Sequence, residues 1–302
     1  MILVLTGPTG SGKSALAVSL AKRLDGVVIN ADAYQVYQEL NIATAKPSEE
    51  MRMIVPHYLF DFVPLNSDYS VAEYQSDLRA EIYELSKTNR PIIIAGGTGL
   101  YIKAGLFDYE FPEEKAVDMS SYESLDEDSL YKKACEIDPE GAKQIHPHNK
   151  RRVLRLIEYY LANGKRRSEV VALQEHKPLF DVRFYGLDVE RENLYPLVEE
   201  RVEKMFESGL EEENLALVSK YGRTPHAFQA IGVKEFFPYW DGKASLEETK
   251  SLIKENTRHY VKKQMTWFRH QFPITWIKGE EDLLLDLDKK SVEPFLKGNL
   301  NR

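Results

Sequence analysis

The stretch of sequence that decides the fold is Gly7-Pro8-Thr9-Gly10-Ser11-Gly12-Lys13-Ser14. It satisfies the Walker A pattern, and it lies between an apolar run at residues 2–5 and a helical spacing of leucines at residues 16–24. Glycines let the backbone amides turn inward, and the helix that follows adds the partial positive charge of its N-terminus. A diphosphate group therefore meets hydrogen-bond donors, with Lys13 as a point charge and the Ser14 hydroxyl as a ligand for Mg²⁺.

The Walker A pattern alone leaves three chemistries open. A kinase transfers a phosphoryl group, a GTPase-like switch hydrolyses one, and a transferase can expel a diphosphate as its leaving group. A glycine-rich turn that binds no ligand is the structural alternative, but the strand before the motif and the helix after it argue against that alternative.

The spacing of apolar residues predicts an α/β fold with a P-loop NTPase-like parallel sheet core. Strands are predicted at residues 2–5, 27–30, 58–62 and 92–95, and they alternate with helical patterns. Ser70 with Glu73, and Ser245 with Glu248, have the spacing of capping boxes, and the helix that Ser245 opens is expected to extend to about Phe268.

The alternation of strands and helices stops in the middle of the chain. Residues 113–178 lack convincing strands, but they contain helical patterns such as residues 149–161. We therefore predict a catalytic core formed by residues 1–112 and 179–302, with an inserted helical subdomain at residues 113–178. Apolar runs at residues 182–189 and 274–277 return the chain to the sheet, with a helix that ends near Gly209 between them.

Composition places the chain among ordinary folded proteins, with 43 % hydrophobic and 29 % charged residues in a length of 302. No segment approaches the length of a membrane span, so no membrane partner is expected. The first residues lack a basic leader and a cleavage site, which predicts a cytoplasmic protein. The single cysteine, Cys135, excludes an internal disulfide and a multi-cysteine zinc site.

Charge is segregated along the chain, although the formal net charge is −8. Residues 108–140 contain twelve acidic and three basic side chains, whereas residues 141–167 contain eight basic and one acidic. Asn149 can cap a helix on which Arg151, Arg152 and Arg155 lie close together, an arrangement suited to phosphate contacts. Such a basic face fits a nucleic-acid partner, and a solvated helix surface is the alternative.

Polar residues follow two other predicted strands. Asp32 comes after the second strand, and Gly96-Gly97-Thr98-Gly99 follows the fourth. Because parallel strands end at one edge of a sheet, we expect Asp32 and Thr98 to share a cleft with Lys13. Alternatively, Asp32 caps a turn and the Gly-Gly pair only permits a tight bend.

Seven ordered segments carry a resemblance to a known family. They are the Walker A residues 7–14, Asp32 with Gln35 and Tyr37, Thr44-Ala45-Lys46-Pro47, Gly96-Gly97-Thr98-Gly99-Leu100-Tyr101, Ile145-His146-Pro147 through Arg151-Arg152, Ala230-Ile231-Gly232-Val233-Lys234-Glu235, and Thr257-Arg258-His259-Tyr260 through Thr266-Trp267-Phe268-Arg269. Together they resemble the tRNA dimethylallyltransferase family, also called tRNA isopentenyltransferase, in its bacterial type.

The sequence departs from the family pattern at three places. Ala33 and Ala43 stand where the family usually has serine and glycine, and residues 113–129 are acidic where an arginine that contacts tRNA is expected. Neither alanine replaces a charged group.

The resemblance implies a reaction and a set of functional residues. The P-loop would hold the diphosphate of dimethylallyl diphosphate with Mg²⁺, and the allyl group would pass to the exocyclic amine of the adenosine beside the tRNA anticodon. Asp32 would act as the base, Thr98 and Gln35 would hold the amine and the neighbouring bases in place, and Arg258 would contact phosphate. Contacts with tRNA are expected from Asp32, Ala33, Tyr34, Gln35, Thr98, Arg151, Arg152, Arg155 and Lys262, and the enzyme is expected to be a monomer that grips the anticodon stem-loop.

The basic residues of the predicted C-terminal helix have a simpler alternative explanation. Lys250, Lys254, Arg258 and Lys262 recur at four-residue steps, which simple solubility can explain, although the last two fall in a family motif. His146, His148 and His259 are not expected to bind metal.

Three rival functions share parts of the sequence pattern. An adenylate isopentenyltransferase uses a free nucleotide and needs no basic insertion. A P-loop small-molecule kinase leaves that insertion unexplained, and an RNA-binding switch leaves Asp32 without a role. Whether ATP also binds the P-loop stays open.

Overall fold

A computed structural model describes residues 1–111, 117–174 and 176–298, without the side chains of residues 191 and 290–298. The strands are β1 (Ile2–Thr6), β2 (Val27–Asn30), β3 (His57–Tyr58), β4 (Ile92–Ala95), β5 (Val182–Leu187) and β6 (Thr275–Ile277). The α-helices are α1 (Lys13–Leu24), α2 (Glu49–Ile54), α3 (Val71–Ser86), α4 (Gly99–Leu106), α5 (Ser120–Glu123), α6 (Glu127–Ile137), α7 (Pro139–Lys143), α8 (Lys150–Asn163), α9 (Arg167–Leu173), α10 (Arg191–Glu207), α11 (Leu210–Tyr221), α12 (Phe236–Trp240), α13 (Leu246–Gln271) and α14 (Glu280–Gly298), and a 3₁₀ helix covers His226–Gln229.

The strands form one parallel sheet in the order β3-β2-β4-β1-β5-β6. Strand β1 is central, with Ile2 opposite Ile92 on one side and Val182 on the other. Its residues Leu3–Leu5 are fully buried, as expected for a parallel strand covered on both faces. The predicted α/β fold is confirmed, and the segments that follow β1, β2 and β4 leave the sheet at one edge.

Both predicted capping boxes are present. The Ser70 and Ser245 hydroxyls accept hydrogen bonds from the Glu73 and Glu248 amides, and each glutamate accepts one from the backbone of its serine. Ser245 thereby opens α13, a helix of 26 residues.

The predicted strand at residues 58–62 is wrong beyond Tyr58. Leu59 and Asp61 adopt left-handed backbone conformations, with φ of 59° and 52°, which end the extended chain. The turn places the Asp61 carboxylate between Lys46 and Arg52, with which it forms ion pairs.

The chain divides into two compact units, residues 1–106 with 180–302 and residues 107–179. The second unit is helical and contains α5–α9, with a core of Leu130, Ala134, Ala142, Val153, Leu156 and Ile157. Its ends are tied by an antiparallel bridge of Phe107 with Pro178. The unit therefore includes residues 107–111 and Leu179, which the sequence pattern assigns to the core, while the predicted boundary at residues 112 and 113 lies outside the described residues. No described helix is both long enough and apolar enough to cross a bilayer.

Candidate active site

The Walker A residues form a loop that wraps ahead of α1. Gly7, Gly10 and Gly12 have φ of 144°, 87° and 84°, which residues with a side chain rarely adopt. The Ser11 amide donates to the Pro8 carbonyl at 3.2 Å, which closes the turn. Ser11 Oγ is buried without a hydrogen-bond partner among the described residues, so the loop retains a hydroxyl for an incoming group.

Lys13 begins α1 and folds back over the loop. Its Nζ donates to the Pro8 carbonyl at 2.7 Å. Burial and the positive charge of Arg201 lower the pKa of Lys13 to about 7, against the opposing effect of Asp32. The lysine is therefore close to losing its proton at neutral pH, and an anionic ligand would favour the charged form.

A cavity of about 550 Å³ lies over the loop at the carboxyl edge of the sheet. It is lined by Lys13, Ser14, Asp32, Gln35, Gly97 and Arg201, among others. The ends of β1, β2 and β4 thus meet at one cavity. The lining also includes the apolar side chains of Val28, Met51 and Phe60.

Asp32 is held by its own turn. The Asn30 side chain, which is fully buried, accepts from the Asp32 amide at 2.9 Å and donates to the Asp32 carbonyl at 3.0 Å. The Tyr34 amide donates to Asp32 Oδ1 at 3.0 Å, so one carboxylate oxygen does cap a turn. The other oxygen, Oδ2, has no hydrogen-bond partner in the described part of the chain and stays available for chemistry.

Thr98 ties the end of β4 to the Asp32 turn. Its Oγ1 accepts from the Ala33 amide at 3.0 Å, and its amide donates to the Ala31 carbonyl at 3.0 Å. Burial and the charge of Asp32 raise the pKa of the Tyr260 hydroxyl, while hydrogen bonds with Thr98 and Gln264 oppose that shift. Tyr260 is therefore a neutral hydroxyl beside the carboxylate at physiological pH.

Gln264 on α13 is a site residue that the sequence pattern did not predict. Its Oε1 accepts from the Thr9 amide at 2.9 Å and from the Thr9 hydroxyl at 3.1 Å, and its Nε2 donates to the Gly97 carbonyl at 3.0 Å. A Cβ on Gly97 would lie 2.3 Å from Gln264 Nε2, so this approach requires glycine. The only sequence signal is that a polar residue lies at helical spacing from the buried residues Val261 and Phe268, on the same face of the helix.

Arg201 on α10 is the second residue that the sequence pattern missed. It faces the cavity beside Lys13 and Asp32, whose charges interact with it. Burial lowers the pKa of its guanidinium, and Asp32 opposes this. Its position between Val198 and Met205, on the apolar face of α10, is the available signal, because an arginine there is unusual.

A second cavity of about 350 Å³ adjoins the first and shares Thr9, Asp32 and Arg201 with it. Tyr34 and Tyr260 belong to its wall, and Lys234, His259 and Lys263 add positive or titratable groups. Neither lysine forms an ion pair within the described residues. The Asp32 carboxylate therefore faces both cavities.

Arg258, the predicted phosphate contact, is not among the residues that line the cavity over the phosphate loop, and Lys262, a predicted tRNA contact, lies on the same face of α13. Arg258 Nη1 pairs with Glu199 Oε1 at 2.8 Å, and Lys262 Nζ lies 5.8 Å from the centre of the Tyr195 ring. Both side chains point toward α10, whose acidic residues attract this face of α13. Arg201, and not Arg258, is the arginine at the loop.

The rest of the basic stripe on α13 is also paired. Lys250 and Lys254 both contact the Glu203 carboxylate. The stripe is therefore largely neutralised within the protein.

Gln35 lines the first cavity, but its Nε2 is already engaged. It donates to the carbonyls of Thr44 and Ala45, at 3.0 and 3.3 Å, which leaves Oε1 for a ligand. The loop that it holds is fixed from the other side by Glu213, which accepts from the amides of Asn41, Ile42 and Ala43.

In the helical unit, Asn149 caps α8 as predicted, since its Oδ1 accepts from the Arg152 amide at 3.2 Å. Arg151, Arg152 and Arg155 are exposed, whereas Val153 and Ile157 are buried. None of the three arginines forms an ion pair with a described residue. Their charges are therefore available to a partner.

The described residues contain no cluster of three metal-ligating side chains. His148 Nδ1 lies 2.7 Å from Glu127 Oε2, so a carboxylate remote in sequence pairs with this histidine. Ser14, by contrast, lines the first cavity next to Lys13. A single hydroxyl beside a phosphate loop fits Mg²⁺, which keeps water and substrate oxygens as its other ligands.

The fold and the site define the class: a P-loop α/β protein whose phosphate loop opens onto a carboxylate shared by two cavities. A sequence model of the family described as IPP transferase matches residues 35–271. The chain belongs to the IPP transferase family, which confirms the resemblance seen in its motifs.

Similar proteins cover nearly the whole chain. The tRNA dimethylallyltransferase of Anoxybacillus flavithermus is 39 % identical over 302 residues, 99 % of this chain and 97 % of that protein. The one from Geobacillus kaustophilus is 42 % identical over 281 residues, 91 % of this chain and 89 % of that protein.

Two solved structures share the fold. The tRNA isopentenylpyrophosphate transferase of Staphylococcus epidermidis superposes with a TM-score of 0.70 at 34 % identity, covering 97 % of this chain and 99 % of that one. A eukaryotic dimethylallyltransferase that acts on tRNA gives a TM-score of 0.82 at 27 % identity, covering 98 % of this chain and 79 % of that one.

Proposed function

We propose that this protein transfers a dimethylallyl group from dimethylallyl diphosphate to the exocyclic amine of the adenosine adjacent to the anticodon of a tRNA, releasing diphosphate. The observation that carries the proposal is the position of Asp32. Its carboxylate lies in the wall of the cavity over the phosphate loop and in the wall of the second cavity. A base placed there can serve a reaction between a group in one cavity and a group in the other.

The diphosphate leaves from the first cavity. The loop amides, Lys13 and Arg201 supply positive charge where the bond from carbon to oxygen breaks and negative charge collects. Mg²⁺ bound at Ser14 would neutralise part of the charge on the diphosphate oxygens. The apolar side chains in the lining, such as Val28, Met51 and Phe60, can exclude water from the allyl group.

The acceptor adenosine enters the second cavity. Its exocyclic nitrogen forms the new bond to carbon while the electron pair of the breaking bond goes to the diphosphate. Asp32 Oδ2, which has no described partner, accepts the proton that the nitrogen loses. Thr98 fixes the Asp32 turn through the Ala33 amide, and Gln264 holds the phosphate loop against the Gly97 turn.

A polyanionic acceptor explains why the protein has positively charged residues that the transfer of the dimethylallyl group itself does not require. Lys234 and Lys263 stand in the wall of the second cavity, and the α8 arginines are exposed. A free nucleotide would not need the α8 arginines, so the proposed acceptor is an RNA, specifically the anticodon stem-loop of a tRNA bound by a monomeric enzyme.

The test offers the protein labelled dimethylallyl diphosphate with Mg²⁺ and either unmodified tRNA or free AMP. Label in tRNA alone supports the proposal. Label in AMP alone identifies an adenylate isopentenyltransferase, and transfer of the γ-phosphate of ATP to a nucleotide without prenyl transfer identifies a kinase. The matched control is a tRNA with inosine at the acceptor position, which lacks the amine and should gain no label.

A further inference from the structure

We infer that Asn256 is a specificity-determining residue, whose side-chain oxygen accepts a hydrogen bond from the RNA acceptor in the second cavity and is oriented for this by the buried carboxylate of Glu235. The inference rests on the proposed function, because it assigns the second cavity to the acceptor.

Glu235 is a buried carboxylate with two hydrogen-bond donors. Its side chain is 3 % exposed. Oε2 accepts from the Gly232 amide at 2.9 Å, and Oε1 accepts from Asn256 Nδ2 at 2.7 Å. No described cation forms an ion pair with it. Burying an unpaired carboxylate is costly, so its two hydrogen bonds must be kept, and they fix the Gly232 turn and the Asn256 amide together.

The chemistry of this contact decides which way the Asn256 amide points. An ionised carboxylate can only accept, so the NH₂ end of the amide must face Glu235 and the oxygen must face away. Asn256 belongs to the wall of the second cavity and is partly exposed. Its Oδ1 has no hydrogen-bond partner among the described residues. The cavity wall therefore presents a fixed acceptor at this point.

The exposed Gln229 amide in that wall can also accept, but no described carboxylate fixes its orientation as Glu235 fixes that of Asn256. The Thr257 hydroxyl donates to the Ile253 carbonyl at 2.7 Å, and Lys234 and Lys263 are donors. Asp32 is an acceptor, but the proposed reaction uses it for the reacting amine. Asn256 thus suits a second donor on the acceptor strand, which is either the amine of a base next to the reacting adenosine or a ribose 2′-hydroxyl.

The protein side of the test uses two variants with opposite effects on the amide. Asn256→Ala removes the acceptor. In Glu235→Gln, the side chain keeps one oxygen, which must accept from the Gly232 amide, so its new NH₂ group faces Asn256. The Asn256 amide must then turn, so that its oxygen accepts from this NH₂ group and its own NH₂ group faces the cavity. Both variants should raise KM for a stem-loop RNA about tenfold, the worth of one hydrogen bond, with kcat and KM for dimethylallyl diphosphate nearly unchanged. Glu255→Gln, an exposed neighbour on α13, is the matched control.

The RNA side of the test removes one donor at a time near the acceptor. One set of stem-loops lacks a single base amine, and another has a single 2′-deoxyribose. For one of these RNAs, the wild type should lose about tenfold in kcat/KM and the Asn256→Ala variant should lose nothing further. The set to which that RNA belongs tells whether the donor is an amine or a hydroxyl.

The outcomes separate this inference from the proposed function. If the wild type labels no RNA, the proposed function falls. If RNA is labelled but both variants keep the wild-type KM, or if every RNA change adds fully to the loss in Asn256→Ala, only the role of Asn256 is overturned. Glu235→Gln is nearly isosteric, and an unchanged dissociation constant for inorganic diphosphate in both variants verifies that the phosphate loop is intact.

Discussion

Raising the pH above 7 should weaken the binding of diphosphate through Lys13. In the free protein, burial and Arg201 lower the pKa of this lysine to about 7. A bound diphosphate restores the charged form, so the pKa of the same group is higher in the complex. Below pH 7 the lysine already carries its proton, and above pH 7 binding must take one up. The dissociation constant should therefore rise about tenfold per pH unit above 7, or about 50-fold from pH 7 to pH 9.

Calorimetry with Mg²⁺ and inorganic diphosphate measures this effect directly. Titrations at pH 8 in two buffers of different ionisation enthalpy give the number of protons taken up on binding, which we expect to be close to one from the lysine. Diphosphate also titrates in this range and takes up protons of its own. Lys13→Arg measures the proton uptake by the diphosphate alone, because an arginine, with a pKa above about 12, stays charged throughout.

A second variant checks why the pKa of Lys13 is low. Burial and the charge of Arg201 both lower this pKa, and Arg201→Gln removes the second cause. The pH above which diphosphate binding weakens should therefore be higher in this variant, although the affinity itself falls. If wild type and Lys13→Arg take up the same number of protons, or if Arg201→Gln leaves the onset in place, the reasoning about this lysine is wrong.

Other variants test the remaining parts of the site and the fold. Asp32→Asn should lower kcat by about two to four orders of magnitude, the usual worth of a general base, while tRNA binding persists in a filter assay. Replacing Arg151 and Arg155 by alanine should reduce the slope of log K against log salt for tRNA by about 1.4 to 1.8, with diphosphate affinity unchanged; an unaltered slope removes α8 from the interface. Gln264→Ala frees the phosphate loop from the Gly97 turn and should lower kcat/KM about tenfold or more. Gln264→Glu keeps the oxygen that accepts from Thr9 but not the donor to Gly97, and should recover part of the lost activity. Ser245→Ala should lower the free energy of unfolding in urea by about 1 kcal/mol without changing kinetics.

Local patterns predicted the fold and much of the site. The Walker A loop, the central strands and both capping boxes depend on residues close in sequence. The rule that parallel strands end at one edge correctly predicted that Asp32 shares a cavity with Lys13, whereas Thr98 contacts the Asp32 turn and is not among the residues that line that cavity. A resemblance to a known family then supplied the chemistry. These features need no knowledge of how the later helices pack.

The missed residues depend on that packing. Arg201 and Gln264 reach the phosphate loop only because α10 and α13 lie against it, and their sequence signal is a polar side chain on an apolar helix face. The same packing turns Arg258 toward Glu199. The turn at Leu59 and Asp61 was missed because leucine rarely adopts a left-handed conformation and a single aspartate is only a weak turn signal. The ion pairs of Asp61 with Lys46 and Arg52 hold the turn.

A single carboxylate common to two compartments also bears on the order of events. The donor and the acceptor need never occupy the same space, so both can be resident at once, and no part of the protein has to carry the prenyl unit from one to the other. The reaction proposed above is then a one-step displacement in a ternary complex, with inversion at the carbon that changes partners.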